Sequence, residues 1–234
     1  MASTASSRAA LKFTDREEAG RLLADQLGGY AGRPDVIVMA LPRGGVPVAY
    51  EIATRLRVPL DVFLVRKLGA PGQPELAMGA IATGGARVLS DDVIRYLGVS
   101  PDVIEAVARA EQVELERRER AYRGDRPAPD LHDRGVVLVD DGLATGSSMR
   151  AAIAAVKTQL PSQIVVAVPV AARETYEELK REVDTVVCLR TPEPFVAVGL
   201  WYEDFSPTTD EEVRELLQSG QRQASGPPAR SAAG

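Results

Sequence analysis

The chain has 234 residues, 45% of them apolar and 26% charged, with a formal net charge of −5. That length and balance describe one globular domain with room for a good core and a small appendage, and the acidic balance counts against a general nucleic-acid binder. One cysteine excludes an internal disulfide and a cysteine metal cluster, no apolar run is long enough to span a bilayer, and the opening MASTASSRAA lacks the apolar stretch of a signal peptide. The expectation is a cytoplasmic protein with no membrane or nucleic-acid partner.

Residues 1–10 and 219–234 are rich in Ala, Ser, Gly and Pro and read as disordered tails flanking a single domain over 11–218. Thr14-Asp15-Arg16-Glu17 is a capping-box pattern; it predicts a helix with Ala19, Leu22, Leu23 and Leu27 on one face, ending near Gly28-Gly29. Val36 to Leu41 reads as a buried strand, Val46 to Leu56 as a helix and Leu60 to Val65 as the next strand, which together make a right-handed parallel unit. Residues 68–90, rich in Gly and Pro, read as a loop holding a hairpin, Leu76 to Ala82 and Ala86 to Leu89 around Gly84-Gly85. Helices over Ser90 to Leu97 and Pro101 to Tyr122 follow, so 68–130 is expected to be a mobile loop plus a helical insertion. The mixed charges from Arg109 to Arg123 read as a solvated helix face in preference to a lid. The single histidine, His132, lies in a polar stretch and reads as a surface-loop residue.

Val136 to Val139 is a short continuous apolar run, which suits a parallel strand covered on both faces. The next helix carries Met149, Ala152, Ile153, Val156 and Leu160 on one face. A strand over Ile164 to Val170, a helix over Ala172 to Glu182 and a strand over Val186 to Leu189 come after it, the last holding Cys188 as a buried structural thiol. Phe195 to Val198 is expected to add a short strand and Asp210 to Leu217 a closing helix. The alternation predicts an α/β fold: a doubly wound, mainly parallel sheet of about five strands flanked by helices.

The most informative stretch is Val136 to Ile153. Asp140 and Asp141 fall where the apolar strand ends, at the carboxyl edge where open α/β sheets bind ligands. Ala144-Thr145-Gly146-Ser147-Ser148 then offers small side chains and backbone N–H groups at a helix N-terminus, an anion site. Acids beside a phosphate cradle suit a ligand with both hydroxyls and a phosphate, as a ribose 5-phosphate has. A nucleotide hydrolase would need Gly-x-x-x-x-Gly-Lys-Ser/Thr upstream, and no such string occurs. A plain strand-end turn would explain the acids but not the Thr-Gly-Ser-Ser that follows.

Residues 136–149 resemble the 5-phosphoribosyl 1-pyrophosphate (PRPP) signature of the type I phosphoribosyltransferases: four apolar residues, two acids, two variable residues, Ala or Asp, Thr, Gly, then small polar residues. The resemblance implies Mg-dependent transfer of a phosphoribosyl group from PRPP to a nitrogen acceptor. The implied acceptor is a nucleobase, with a purine-like base favoured. Asp140 and Asp141 would hold the ribose hydroxyls and lie near a Mg shared with PRPP, and Ala144 to Ser148 would hold the 5-phosphate. Leu41-Pro42-Arg43-Gly44-Gly45 resembles the family's pyrophosphate loop, which implies roles for Arg43, Gly44 and Gly45 and a cis Pro42–Arg43 bond. Arg66 and Lys67 end the next strand and are open to two readings, cations for the pyrophosphate or a solvated strand end; 68–90 occupies the place of the family's mobile catalytic loop. Phe195, Trp201 and Tyr202 resemble the base-binding aromatics, with core packing equally open for them. Ala144 stands where enzymes acting on 6-oxopurines often carry an acid, which disfavours a hypoxanthine- or guanine-type acceptor. A homodimer is one assembly the resemblance leaves open. The rival reading keeps the fold but not the turnover: a PRPP- or nucleotide-sensing regulator.

Overall fold

The computed structural model describes residues 12–224, so the expected tail over 1–10 and the last ten residues of the other lie outside the described residues. In chain order the elements are α1 (Arg16–Gln26), β1 (Val36–Ala40), α2 (Gly45–Leu56), β2 (Leu60–Val62), β3 (Val65–Ala70), β4 (Gln73–Ala82), β5 (Ala86–Leu89), α3 (Asp91–Leu97), α4 (Pro101–Arg123), β6 (Gly135–Val139), α5 (Ser147–Lys157), β7 (Gln163–Val170), α6 (Arg173–Leu179), β8 (Thr185–Arg190) and α7 (Asp210–Ala224). Five strands pair in the order β2-β1-β6-β7-β8, all parallel. The continuous apolar runs have the expected cause: every residue of β1 and β6 is buried, because helices cover both faces. Val36, Val38 and Ala40 face a core shared with α1, α2, α4 and α7. Ile37 and Met39 face the opposite core, closed by α5 and α6. The sheet is doubly wound, as the alternation predicts.

Several local expectations need correction. The strand expected over Leu60 to Val65 breaks after Val62. Phe63 and Leu64 are both buried and turn the chain into β3, which with β4 and β5 forms a separate three-stranded antiparallel sheet. Residues 68–90 are therefore sheet and not a loop. The hairpin at Gly84-Gly85 is present, but β4 begins at Gln73, and buried Leu68, Met78 and Ile81 give the little sheet its own apolar side. The capping pattern is shifted by one residue: Asp15 accepts the Glu18 N–H (2.7 Å), while the Glu18 carboxylate accepts the Thr14 N–H (2.5 Å). Phe195 to Val198 forms no strand; Pro192 and Pro194 remove ladder donors just before it, and the run ends in a 3₁₀ turn, Val198–Trp201. The last helix runs through 219–224, placed in the tail by composition, because its buried stripe continues from Val213 and Leu217 to Gly220.

The charged helix α4 is not a solvated face alone. It buries Ile104, Ala108, Leu115, Tyr122 and Arg123. Arg123 and Asp61 form a buried ion pair, Nε to Oδ1 2.7 Å, with side chains 2% and 9% exposed. His132 lies on an exposed loop, as expected. Cys188 is half-buried; its thiol donates to the Arg190 carbonyl (3.2 Å), and burial pushes its pKa up to about 11. Its reaction with a disulfide reagent at pH 8 is expected to be slow in the native protein and complete on unfolding, because the thiolate is the reacting form.

Candidate functional site

Asp140 and Asp141 follow β6 at the carboxyl edge of the parallel sheet, between strands β1 and β7. The Asp140 carboxylate accepts the Asp141 N–H at 2.9 Å. Asp141 receives Arg16 from the start of α1, through Nε at 2.9 Å and a second nitrogen at 2.9 Å. Each acid keeps some exposed surface, yet protein crowds both carboxylates. That desolvation, followed by the charge of Asp141, holds the Asp140 pKa well above the usual carboxylate range. Asp141 is also raised by desolvation, with Arg16 pulling it back down. Burial thus raises both neighbouring carboxylates, and Asp141 is the one in contact with a guanidinium. Arg16 also donates to the Ser206 carbonyl (2.8 Å) and lies 4.0 Å from the Phe205 ring centre. Sequence reasoning missed this residue, which lies 125 positions from its partner.

After Leu143, whose N–H donates to the Val170 carbonyl at 2.9 Å, the chain turns over Ala144 to Gly146 into α5. Ala144, Thr145 and Ser148 are exposed and Ser147 partly so, which leaves the loop open to a ligand. Two further side chains pin the loop from behind. The Thr175 hydroxyl donates to the Ala144 carbonyl (2.6 Å), and Arg150, itself paired with Glu178 and Glu182, donates to the Thr145 carbonyl (2.5 Å). Gly146 has φ +68°, and a Cβ there would meet the Thr175 methyl at 2.6 Å. Gly146→Ala is therefore expected to cost about 1–3 kcal/mol through the left-handed backbone and the clash. Its effect on ligand affinity should be loss of ribose 5-phosphate binding by calorimetry.

The Leu41–Gly45 turn leaves β1 and meets the acids directly. A Cβ on Gly44 would collide with the Asp141 carboxylate, and one on Gly45 would sit 2.6 Å from the Val139 carbonyl. The glycines are thus required by close approach and bring one loop against the other. The Pro42–Arg43 bond is cis, as expected. The Arg43 guanidinium is turned toward Asp210 at the start of α7 (3.8 Å), so the backbone of this turn, and not the arginine head, adjoins the acids.

Arg66 and Lys67 lie inside β3 and not at the end of the main-sheet strand, and the two-residue pleat sends them to opposite faces. Arg66 lines a cavity of about 120 Å³ together with Pro42, Asp140, Ser148 and Arg118 of α4. Its head group is paired with Glu111. Lys67 is exposed and lines a separate depression with Ser147 and Arg150.

The aromatic run divides as follows. Tyr202 is 2% exposed, with Phe13 and Phe205 ring centres at 5.5 and 5.1 Å and its hydroxyl donating to the Asp141 carbonyl at 2.6 Å. It supports an acid and packs the core, so its faces are not open to a base. Phe195 is half-buried against the same cluster. Trp201 lines a cavity of about 600 Å³ with Arg190, Pro192, Val196 and Leu200. Phe13 pairs with Tyr202 as a lone bridge, and Phe13 N–H donates to the Trp201 carbonyl at 2.8 Å, which ties the start of the described chain to this segment.

Among the described residues no cluster of three or more His, Cys, Asp or Glu side chains could cage a metal. Two adjacent carboxylates at a ligand-accessible edge do suit a hard cation that takes its remaining oxygens from substrate and water. No helix among the described residues is long and apolar enough to cross a membrane.

Comparison with known proteins bears on the same span. The family model described as a phosphoribosyl transferase domain matches residues 13–203. Two curated Mycobacterium tuberculosis proteins, MT0597 and Rv0571c, whose phosphoribosyl transferase assignment is provisional, are 45% identical over 210 residues, 90% of this chain. The chain spans about half, 47%, of the length of those relatives. The crystal structure of TT1426 from Thermus thermophilus is 47% identical and superposes with a TM-score of 0.80, over 89% of this chain and 98% of that one. With the acid pair, the α5 loop and the Leu41–Gly45 turn all inside the matched span, the chain belongs to the phosphoribosyl transferase family.

Proposed function

We propose that the protein transfers the 5-phosphoribosyl group of PRPP to a nitrogen of a nucleobase, purine-like in preference, and releases pyrophosphate. One observation carries this reading: the Asp141 carboxylate packs against Gly44 and the Asp140 backbone against Gly45, so the acid pair lies between that turn and the loop that opens α5. Such an edge offers acceptors to ribose hydroxyls and donors to phosphates within one ligand's length. The new bond joins the acceptor nitrogen to C1 as the bond from C1 to the pyrophosphate oxygen breaks. The protein's share is positioning and charge stabilisation. Asp140 and Asp141 hold the hydroxyls, the N–H groups and hydroxyls from Thr145 to Ser148 hold the 5-phosphate, and the Pro42–Gly45 backbone with Arg66 faces the leaving group. A Mg ion shared between PRPP and these acids would neutralise the pyrophosphate. Among the base candidates Trp201 and Phe195 remain, since Tyr202 is committed to the core. Composition favours the cytoplasm, and a homodimer is the assembly to test by light scattering.

The test is pyrophosphate release from PRPP and Mg across a panel of nucleobases, with Asp140→Asn/Asp141→Asn as the control. Release with one base that is absent from the variant supports transfer and names the acceptor. Saturable PRPP binding with no release from any base would support the sensor reading in its place.

A further inference from the structure

Helix α4 holds polar residues where its geometry asks for apolar ones. Ala108, Glu111, Leu115, Arg118 and Tyr122 recur at three- and four-residue steps and so share one face. Ala108, Leu115 and Tyr122 of that stripe are buried. Glu111 and Arg118 interrupt the apolar repeat of that stripe, Glu111 partly buried and Arg118 exposed, and both border polar groups. Glu111 takes the Arg66 head group, and Arg118 borders the small cavity that also has Asp140, Ser148, Pro42 and Arg66 in its wall. The helix is anchored immediately beyond, where Arg123 pairs with Asp61 and the Tyr122 hydroxyl donates to Asp210 at 2.7 Å, so Arg118 cannot drift away with a loose end.

The partner of Arg118 suits a residue that changes partners. Arg118 Nε donates to Glu114 at 2.8 Å, and Glu114 is gripped at the same time by Arg117 at 2.7 and 3.0 Å. When Arg118 leaves, Glu114 keeps a counter-ion. Arg118 is 45% exposed on its side chain, enough to rotate without unpacking the core. Its planar fork matches paired phosphate oxygens.

We infer that Arg118 is a pyrophosphate-binding residue, delivered by α4 to the cavity opposite Asp140 and handed from Glu114 to the incoming anion. This rests on the phosphoribosyl-transfer reading and adds a residue outside every motif that supports it. Together with Arg66 it puts two guanidinium groups on the leaving-group side, while the antiparallel sheet occupies the place of a mobile loop.

The experiment is calorimetry on the whole chain with inorganic pyrophosphate in the presence of Mg, and separately with ribose 5-phosphate. Wild type, Arg118→Gln, Arg118→Lys and Arg120→Gln are compared; Arg120 lies on the same helix, 70% exposed and paired with Glu116. The expected result is pyrophosphate binding weakened about ten- to a hundredfold by Arg118→Gln, less by Arg118→Lys and not by Arg120→Gln, with ribose 5-phosphate binding unchanged throughout. Unchanged pyrophosphate affinity in Arg118→Gln overturns the assignment, and so does an equal loss for both ligands, which would mean general damage to the site. A wild type that binds neither ligand overturns the phosphoribosyl reading itself, and the assignment with it.

Discussion

Asp140→Asn/Asp141→Asn is expected to lower turnover by about 10²–10⁴, since each acid supplies charged hydrogen bonds worth about 1.5–3 kcal/mol and about 1.4 kcal/mol is tenfold in rate. The single variants should then part company in stability. Asp140 has its folded-state pKa raised by burial and by Asp141, so its ionised form opposes folding above that pKa. The sign is fixed by proton uptake. As pH falls toward the ordinary carboxylate value, the folded state binds the proton first and gains stability relative to the unfolded chain. Asp140→Asn removes a charge that burial disfavours, so its melting temperature should exceed the wild type's at pH 8, with the gap closing as pH falls. Asp141→Asn removes the partner of Arg16, whose side chain is only 11% exposed, and should cost about 1.5–3 kcal/mol. Thermal unfolding at several pH values distinguishes the two. Equal losses of stability in both variants would refute the distinction that the Arg16 contact makes between them. A stabilising change that abolishes activity is the usual sign of residues kept for function.

Arg123→Ala is expected to be the most damaging single change outside the acids. The Asp61 carboxylate it leaves behind is buried in the middle of β2, with the Val62 N–H at 2.7 Å as its remaining donor among the described bonds. Breaking a buried pair from one side costs about 3–5 kcal/mol, because the other charge stays uncompensated. For a chain of this size that lowers the melting temperature by roughly 6–20 °C. Asp61→Leu/Arg123→Met should recover much of the loss, since the penalty comes from the stranded charge and not from an absent attraction. The same pair fastens α4 to the strand that leads into Phe63 and Arg66, so in Arg123→Ala any residual folded protein should bind pyrophosphate more weakly as well. Chemical denaturation of the four corners of the cycle measures the coupling.

What can be read from the chain, and what cannot, follows from how far apart the interacting residues lie. Val36 to Ala40 and Val136 to Val139 declare parallel strands because burial on both faces demands an unbroken apolar run. Asp140 to Ser148 declares an anion site because strand end, acids, turn and helix start are contiguous. The small sheet is muted: Ala77, Gly79 and Ala80 carry little apolar contrast, so the sequence shows only the hairpin from Leu76 and neither the start of β4 at Gln73 nor its pairing with β3. Arg16, Thr175 and Arg118 reach the site only through packing of whole helices, and no local pattern names them. The charges that interrupt the apolar repeat of α4 are the one readable sign for Arg118, and a mixed-sign helix hides it.

The contact between Arg16 and the Ser206 carbonyl spans 190 positions, and Tyr202 reaches the carbonyl of the acid that Arg16 neutralises. A growing polypeptide cannot close that circuit until the aromatic segment has left the ribosome. The sheet can condense earlier, as domains fold during synthesis, but Asp141 must wait, with its guanidinium already made and its supporting hydroxyl not yet translated. Asp141 thereby gains its supporting hydroxyl only in chains read through to that segment. A product stalled at β8 would carry the whole signature and still lack a finished site.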